Sequence, residues 1–229
     1  MRSIIRLDIK NEYVVKGRQF EGYRKIIPLS EIIKCYSNKK VEIFLYDLVA
    51  TLFGFNSIIK QLPSLLSQSF LPVTVGGGID SLDKVNECFS FGVDRLAVNT
   101  CNFRNPAITK YITQNYGQQA SIAHVEAKKI DGKWCAMYET GRELGNACLS
   151  DHVKYVQDLG VGEIILSSIE NDGMLNGFPK ELLDLVSGFV SVPLIISGGI
   201  KNFDDKDLYA DYRFVKGISI SRAELERVV

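Results

Sequence analysis

Two glycine turns and two acidic residues carry most of the chemistry this sequence can do. Thr74-Val75-Gly76-Gly77-Gly78-Ile79, within FLPVTVGGGIDS (70–81), leads an apolar run into three glycines. Ile195-Ile196-Ser197-Gly198-Gly199-Ile200, within SVPLIISGGIKN (191–202), does nearly the same 121 residues later. Glycine lets successive backbone N–H groups close around an anion with no Cβ in the way, which is how a turn holds phosphate. About twenty residues beyond each glycine turn comes a second small-residue turn, Asn99-Thr100 in one case and Gly217-Ile218-Ser219 in the other. Two such cradles suit a substrate with a phosphate at each end. Asp8 and Glu126 stand at the ends of matching apolar runs, so the middle of that substrate would lie between two carboxyls, an arrangement suited to general acid–base work. A lone glycine turn reads equally as a tight strand-to-helix connection, and a lone acid as half of a loop salt bridge. Recurrence at matching places favours the chemical reading.

Positioning these groups requires a repeated scaffold. Strand patterns lie at 3–9, 42–48, 71–76, 94–99, 120–126, 163–168, 192–197 and 213–218, nearly continuous in apolar residues as strands buried on both faces are. Helical spacing fills most gaps. One helix is expected from a Ser30 cap after Pro28, one from Pro106 to a stop at Gly117, and one from a Ser150 or Asp151 cap to Gly160. Eight strands in this rhythm predict a (β/α)8 barrel, with its chemistry on the loops after the strands. VEIFLYDLVA (41–50) is echoed by GEIILSSIEN (162–171), again at 121 residues, and LDIKNEYVVKG (7–17) by VEAKKIDGKW (125–134) at 118. RLAVNT (95–100) is echoed more faintly by RFVKGI (213–218). The expectation is one barrel domain over 1–229, built from half-barrels of about 1–117 and 118–229.

Composition narrows the function classes. The 229 residues are 46% apolar and 24% charged with a formal net charge of zero, which gives no electrostatic footprint for nucleic acid or anionic lipid. No apolar run approaches the roughly 18–20 residues of a membrane helix, and MRSIIRLDIKN enters a strand with no signal-peptide pattern. Five cysteines without CxxC spacing read as reduced residues of a cytoplasmic protein, and two distant histidines predict no metal site. No cofactor motif is present.

The segments RLDIKNEYVVKG, PVTVGGGI, DRLAVNT, GQQASIAHVEAKKIDGKW, TGRELGNA, GEIILSSIENDGMLNGF and PLIISGGI together resemble the cyclase subunit of imidazole glycerol phosphate synthase. The resemblance covers about residues 1–219, and VVKG (14–17) with SSIENDGMLNGF (167–178) is closer to the cyclase than to the sister isomerase of the pathway. It implies a lyase of histidine biosynthesis that uses ammonia from a glutaminase subunit, in a heterodimer, to cleave and cyclise a phosphoribulosyl-formimino aminoimidazole-carboxamide ribonucleotide. The products would be imidazole glycerol phosphate and an aminoimidazole-carboxamide ribotide. By position, Asp8 and Glu126 would be the general acid/base pair, and Lys16 would reach substrate from a mobile loop. Gly78, Asn99 and Thr100 would form one phosphate cradle, and Asp172, Gly173, Gly199, Ile218 and Ser219 the other. At the opposite end, Arg2, Glu42, Arg95 and Glu163 match a ring of charges gating ammonia entry.

The sequence also departs from that pattern. Glu126 stands where the family has aspartate, and Arg6 stands where a small residue is usual and would point inward. YDLVATLFGFN (46–56) is unusually aromatic, and Glu170, Asn171 and Met174 replace common residues. The helix before Asp211 is shortened, and only SRAELERVV remains for a closing helix. Two other readings therefore stand beside the cyclase. One is a paralogue that amidates a sugar for surface-glycan synthesis with a glutaminase-like partner. The other is a non-catalytic subunit that conducts ammonia and activates the glutaminase.

Overall fold

The computed structural model describes residues 1–54, 58–68 and 70–221, with only the backbone of 146 and 147. Part of the aromatic segment 46–56 and nearly all of the expected short closing helix, 222–229, lie outside the described residues. Eight parallel strands close on themselves: β1 (Arg2–Lys10), β4 (Glu42–Asp47), β5 (Val73–Gly76), β6 (Arg95–Val98), β7 (Ser121–Ile130), β10 (Glu163–Ser168), β11 (Leu194–Ser197) and β12 (Val215–Ile220). β12 pairs β1 and β7 pairs β10, so no barrel edge is left open. Every strand pattern expected from the sequence falls on one of these eight.

Helices follow the strands: α1 (Leu29–Tyr36), α2 (Ala50–Phe53), α3 (Leu62–Leu66), α4 (Leu82–Ser90), α5 (Thr100–Arg104), α6 (Ala107–Tyr116), α7 (Leu149–Asp158) and α8 (Lys180–Val186). Gly117 and Gly160 stop their helices at φ +91° and +86°. The expected caps differ. α1 begins at Leu29 with Pro28 in the cap position, and α7 follows Cys148, which places Ser30, Ser150 and Asp151 inside first turns. An acidic residue there suits the positive helix end without capping it. Between β11 and β12 the chain makes a 3₁₀ stretch, Phe203–Tyr209, in keeping with the expected shortening.

Two antiparallel ribbons, unforeseen as strands, extend the barrel's mouth at equivalent places. β1 turns back into β2 (Tyr13–Arg18) and β3 (Glu21–Pro28), and β7 into β8 (Lys133–Tyr138) and β9 (Glu143–Cys148). Asp131 and Gly132 take φ +48° and +77° at the second turn, as an Asp-Gly hairpin requires.

Strand alternation sorts the side chains. Ile5, Leu7, Leu45, Val75, Leu96, Val125, Leu166 and Ile196 face outward and are buried against the helices. Inward, Ile4, Phe44, Ala97, Ile122, Ile165 and Ile195 form an apolar plug low in the barrel. Two residues further along β1 and β7, the interior turns polar with Arg6 and His124, and two further again with Asp8 and Glu126.

Candidate active site

The repeat is steric as well as sequential. Gly77 and Gly198 both have left-handed φ, +90° and +101°, and a Cβ on either would strike a backbone carbonyl, that of Asp47 or that of Ser168. Asp47 and Ser168 are themselves 121 residues apart. Next to them, a Cβ on Gly78 would strike Ala50, and one on Gly199 would strike the Gly177 carbonyl and Asn171. These turns accept only glycine without displacing a neighbouring strand.

The two turns differ in the space they leave. Gly77, Gly78, Asn99, Thr100, Thr51 and His124 are among the residues around a cavity of about 190 Å³. Asn99 Nδ2 donates to the Met137 carbonyl at 3.1 Å, the Thr100 hydroxyl accepts from Glu139 N–H at 3.2 Å, and Gly78 N–H donates to Thr51 Oγ1 at 3.1 Å. The second set encloses only about 10 Å³, lined by Asp172, Gly173, Gly199 and Ser219 together with Ser221. The β2–β3 ribbon lies over it. Gln19 N–H donates to the Asp172 carbonyl at 2.9 Å, and a Cβ on Gly173 would press on the Gly17 carbonyl at 2.5 Å. Ile218 departs from its expected place, because alternation along β12 turns its side chain into the helix-facing core while Ser219 faces inward.

Asp8 is fully buried and surrounded by cations. Arg6 Nε lies 2.8 Å from Asp8 Oδ1 and Nη2 donates to Oδ2 at 3.1 Å, while Lys16 Nζ bonds the same Oδ2. Lys16 thus sits on strand β2 with its ammonium committed to Asp8, where a free loop position was expected. Arg6 also donates to Asp172 Oδ1 at 2.6 Å and to Ser197 Oγ at 3.1 Å, with its guanidinium 5.5 Å from the centre of the Phe20 ring. Asp172, expected at a phosphate, points its carboxylate at this buried cation. Burial opposes the charge on Asp8, but Arg6 and Lys16 outweigh it and hold the carboxyl below its ordinary range.

Glu126 is equally buried, but among the described residues no Lys or Arg is in ion-pair contact with it. Oε1 accepts from the Tyr46 hydroxyl at 2.5 Å and Oε2 from Gly141 N–H at 2.8 Å. Burial pushes its carboxyl up to about 7 against these two hydrogen bonds. His124, two residues earlier on the same face, stacks edge-on against Tyr46 and meets Ser167 Oγ through Nε2 at 2.9 Å. Burial takes its imidazole down to about 3, so it is neutral at physiological pH. Its Nδ1 lies 4.0 Å from Glu126 Oε1 and has no hydrogen-bond partner among the described residues. Tyr46 and His124 escaped sequence reasoning because an aromatic ring inside an apolar strand reads as core. Their parity with Glu126 and Asp8 was the available signal.

At the barrel's other end the four expected charges do assemble. Glu42 accepts from Arg2 at 3.2 Å and from Arg95 at 2.8 Å, and Arg2 also bonds Glu163. Burial raises the Glu163 carboxyl, and the two arginines oppose that rise. Among the described residues no cluster of three or more His, Cys, Asp or Glu side chains could hold a metal ion, and no helix is long and apolar enough to cross a membrane.

Comparison with known proteins agrees with this architecture. The family described as "Histidine biosynthesis protein" matches residues 3–228. The chain is 35% identical over 207 residues to the imidazole glycerol phosphate synthase subunit HisF of Legionella pneumophila, covering 90% of this chain and 98% of that one. It is 32% identical over 204 residues to the subunit HisF of Chlorobaculum tepidum, covering 89% and 81%. With that of Chlorobium luteolum it shares 34% over 199 residues, covering 86% and 79%. A barrel of echoed halves, glycine turns in both and a family match along almost its whole length make this chain a member of the histidine biosynthesis protein family.

Proposed function

We propose that this protein is an ammonia-dependent cyclase-type lyase of histidine biosynthesis, acting on the phosphoribulosyl-formimino aminoimidazole-carboxamide ribonucleotide. The observation that carries the reading is the mouth itself, where two buried carboxyls, Asp8 and Glu126, occupy equivalent positions in the two halves. The 190 Å³ cavity at Gly78, Asn99 and Thr100 receives one phosphate, between backbone N–H groups and small side chains. The second phosphate enters at Gly173, Gly199 and Ser219 when the β2–β3 ribbon lifts, and Lys16 moves with that ribbon. The two carboxyls then flank the reacting centre and supply charge and protons to it. Arg2, Glu42, Arg95 and Glu163 face a glutaminase subunit and control the entry of its ammonia. Five free cysteines support a cytoplasmic setting.

The closed second hollow, with Arg6 beneath it, favours one alternative, a paralogue that passes ammonia to a sugar-derived acceptor. Turnover of the ribonucleotide with ammonium salt supplied directly, beside Asp8→Asn, separates the readings. Turnover that disappears in Asp8→Asn supports the cyclase. Absence of turnover in folded protein that still binds a bisphosphate moves the assignment to the amidating paralogue. Absence of both leaves a channel-forming subunit.

A further inference from the structure

Arg6 and His124 occupy equivalent places in the two halves, each two residues before a mouth carboxyl and 118 residues apart. One neighbour is a permanent cation and the other a neutral ring. Arg6 is 1% exposed and contacts both oxygens of Asp8, one oxygen of Asp172 and the Ser197 hydroxyl. A guanidinium cannot give up its proton to relieve a lost partner. Protonating Asp8 would therefore leave a buried cation short of counter-charge, a state far more costly than the intact pair. Glu126 carries no such obligation. Its two acceptor contacts among the described residues come from the neutral Tyr46 hydroxyl and the Gly141 N–H, and the Nδ1 of His124, without a hydrogen-bond partner among those residues, stands on its Oε1 side.

We propose that Arg6 is a positioning residue that divides the labour of the mouth: clamped by Arg6, Asp8 acts only as an anion, and protons exchanged with substrate pass through Glu126. This rests on the cyclase-type reading for its chemistry, though not for its test. It replaces two interchangeable acid–base groups with one electrostatic and one proton-carrying group. Among the described residues, the charged and titratable groups facing Glu126 are Tyr46 from β4, His124 from β7, Tyr23 from β3, Arg6 from β1 and Asp172 after β10. Among the described residues those facing Asp8 are Arg6, Lys16, Asp172, Tyr23 and His124. The described cations of the mouth, Arg6 and Lys16, are thus gathered on the Asp8 side.

The test is a carboxyl titration of the full chain by difference infrared or carbon-13 spectroscopy, with Asp8→Asn and Glu126→Gln assigning the signals. One mouth carboxyl should titrate near 7, present in Asp8→Asn and absent in Glu126→Gln, with Asp8 ionised throughout pH 5–9. Arg6→Met should bring the Asp8 transition up by more than one pH unit, and Arg6→Lys should hold it down. In turnover, Arg6→Met should lower kcat at least tenfold with a second group entering the pH profile, read at constant free ammonia, and KM should change less than threefold. A wild-type carboxyl that titrates between 5 and 8 and vanishes in Asp8→Asn overturns the proposal without any Arg6 variant. So does an Arg6→Met protein in which Asp8 titrates as before. If the chain proves inactive on the ribonucleotide, the spectroscopic outcomes still decide the role of Arg6.

Discussion

The two halves of the barrel put the same backbone to opposite electrostatic uses. In the first, Arg6 and Asp8 form an ionised pair, tied to Lys16 and Asp172. In the second, burial raises Glu126 to about 7 and keeps His124 neutral, while a phenol and a backbone N–H bond the carboxyl and a serine hydroxyl meets the imidazole. Burial is nearly complete in both, so burial alone does not decide the charge state. The partner within reach decides it. The contrast teaches that duplicating a fold duplicates positions, while chemistry follows whatever the neighbouring strand presents there.

The sharpest way to break this comparison is to remove each acid. Asp8→Asn and Glu126→Gln should each lower ammonium-driven turnover by about 10²–10⁴-fold with folding retained. A Glu126→Gln enzyme as fast as the parent would end the pairing of the two halves in function.

Stability against pH sharpens it next. Glu126, raised from 4.5 to about 7, keeps a proton that the unfolded chain has lost, so its contribution is complete below 4.5 and fades as pH rises through 7. His124, lowered from 6.5 to about 3, works in reverse, stabilising above 6.5 and losing that contribution as pH falls towards 3. Between 4.5 and 6.5 the two slopes cancel. Glu126→Gln should expose the histidine slope, with urea-measured stability rising by about 1.4 kcal/mol per pH unit relative to the parent across that window. A mutant curve parallel to the parent's would contradict the neutral dyad.

Glycine replacement compares the halves sterically. Gly77→Ala and Gly198→Ala should each cost about 1–3 kcal/mol in chemical denaturation, because each combines a left-handed φ with a Cβ against a carbonyl. A smaller change comes from Tyr46→Phe, which removes a hydrogen bond to the charged form of Glu126. Its titration should move upward by about one pH unit, with Asp8 unaltered. The smallest is Glu42→Gln at the far end. Its arginine partners, Arg2 and Arg95, have side chains 32% and 24% exposed, so water screens the loss to about 1 kcal/mol, or about 2–4 °C in Tm.

Much of the scaffold was legible because buried parallel strands are apolar on both faces. EIILSS announces β10 at its observed bounds, 163–168. The ribbons were not, since β3 carries Glu21, Gly22, Arg24 and Lys25, largely exposed, and offers no apolar run. In the site, Asp8 and Glu126 were legible from their strand-end positions. The meeting of Arg6 with Asp172 was not, because it joins residues 166 apart that closure alone brings together. Ile218 was misplaced for a related reason. The pairing of β11 with β12 shifts register between Leu194 and Ile195, and a shift of one residue exchanges inside for outside.

The shortest strands have a consequence in time. β6 pairs at only three positions with β5 and three with β7, whereas β1 with β4 and β7 with β10 pair at six. Yet its four residues run from Arg95 in the charge ring to the edge of the cavity at Asn99 and Thr100. At about 3.3 Å per residue it is a rod of about 13 Å with one end at each opening. Among the barrel strands its amide protons should be the first to exchange with solvent, and each such opening loosens the two ends of the barrel in the same instant.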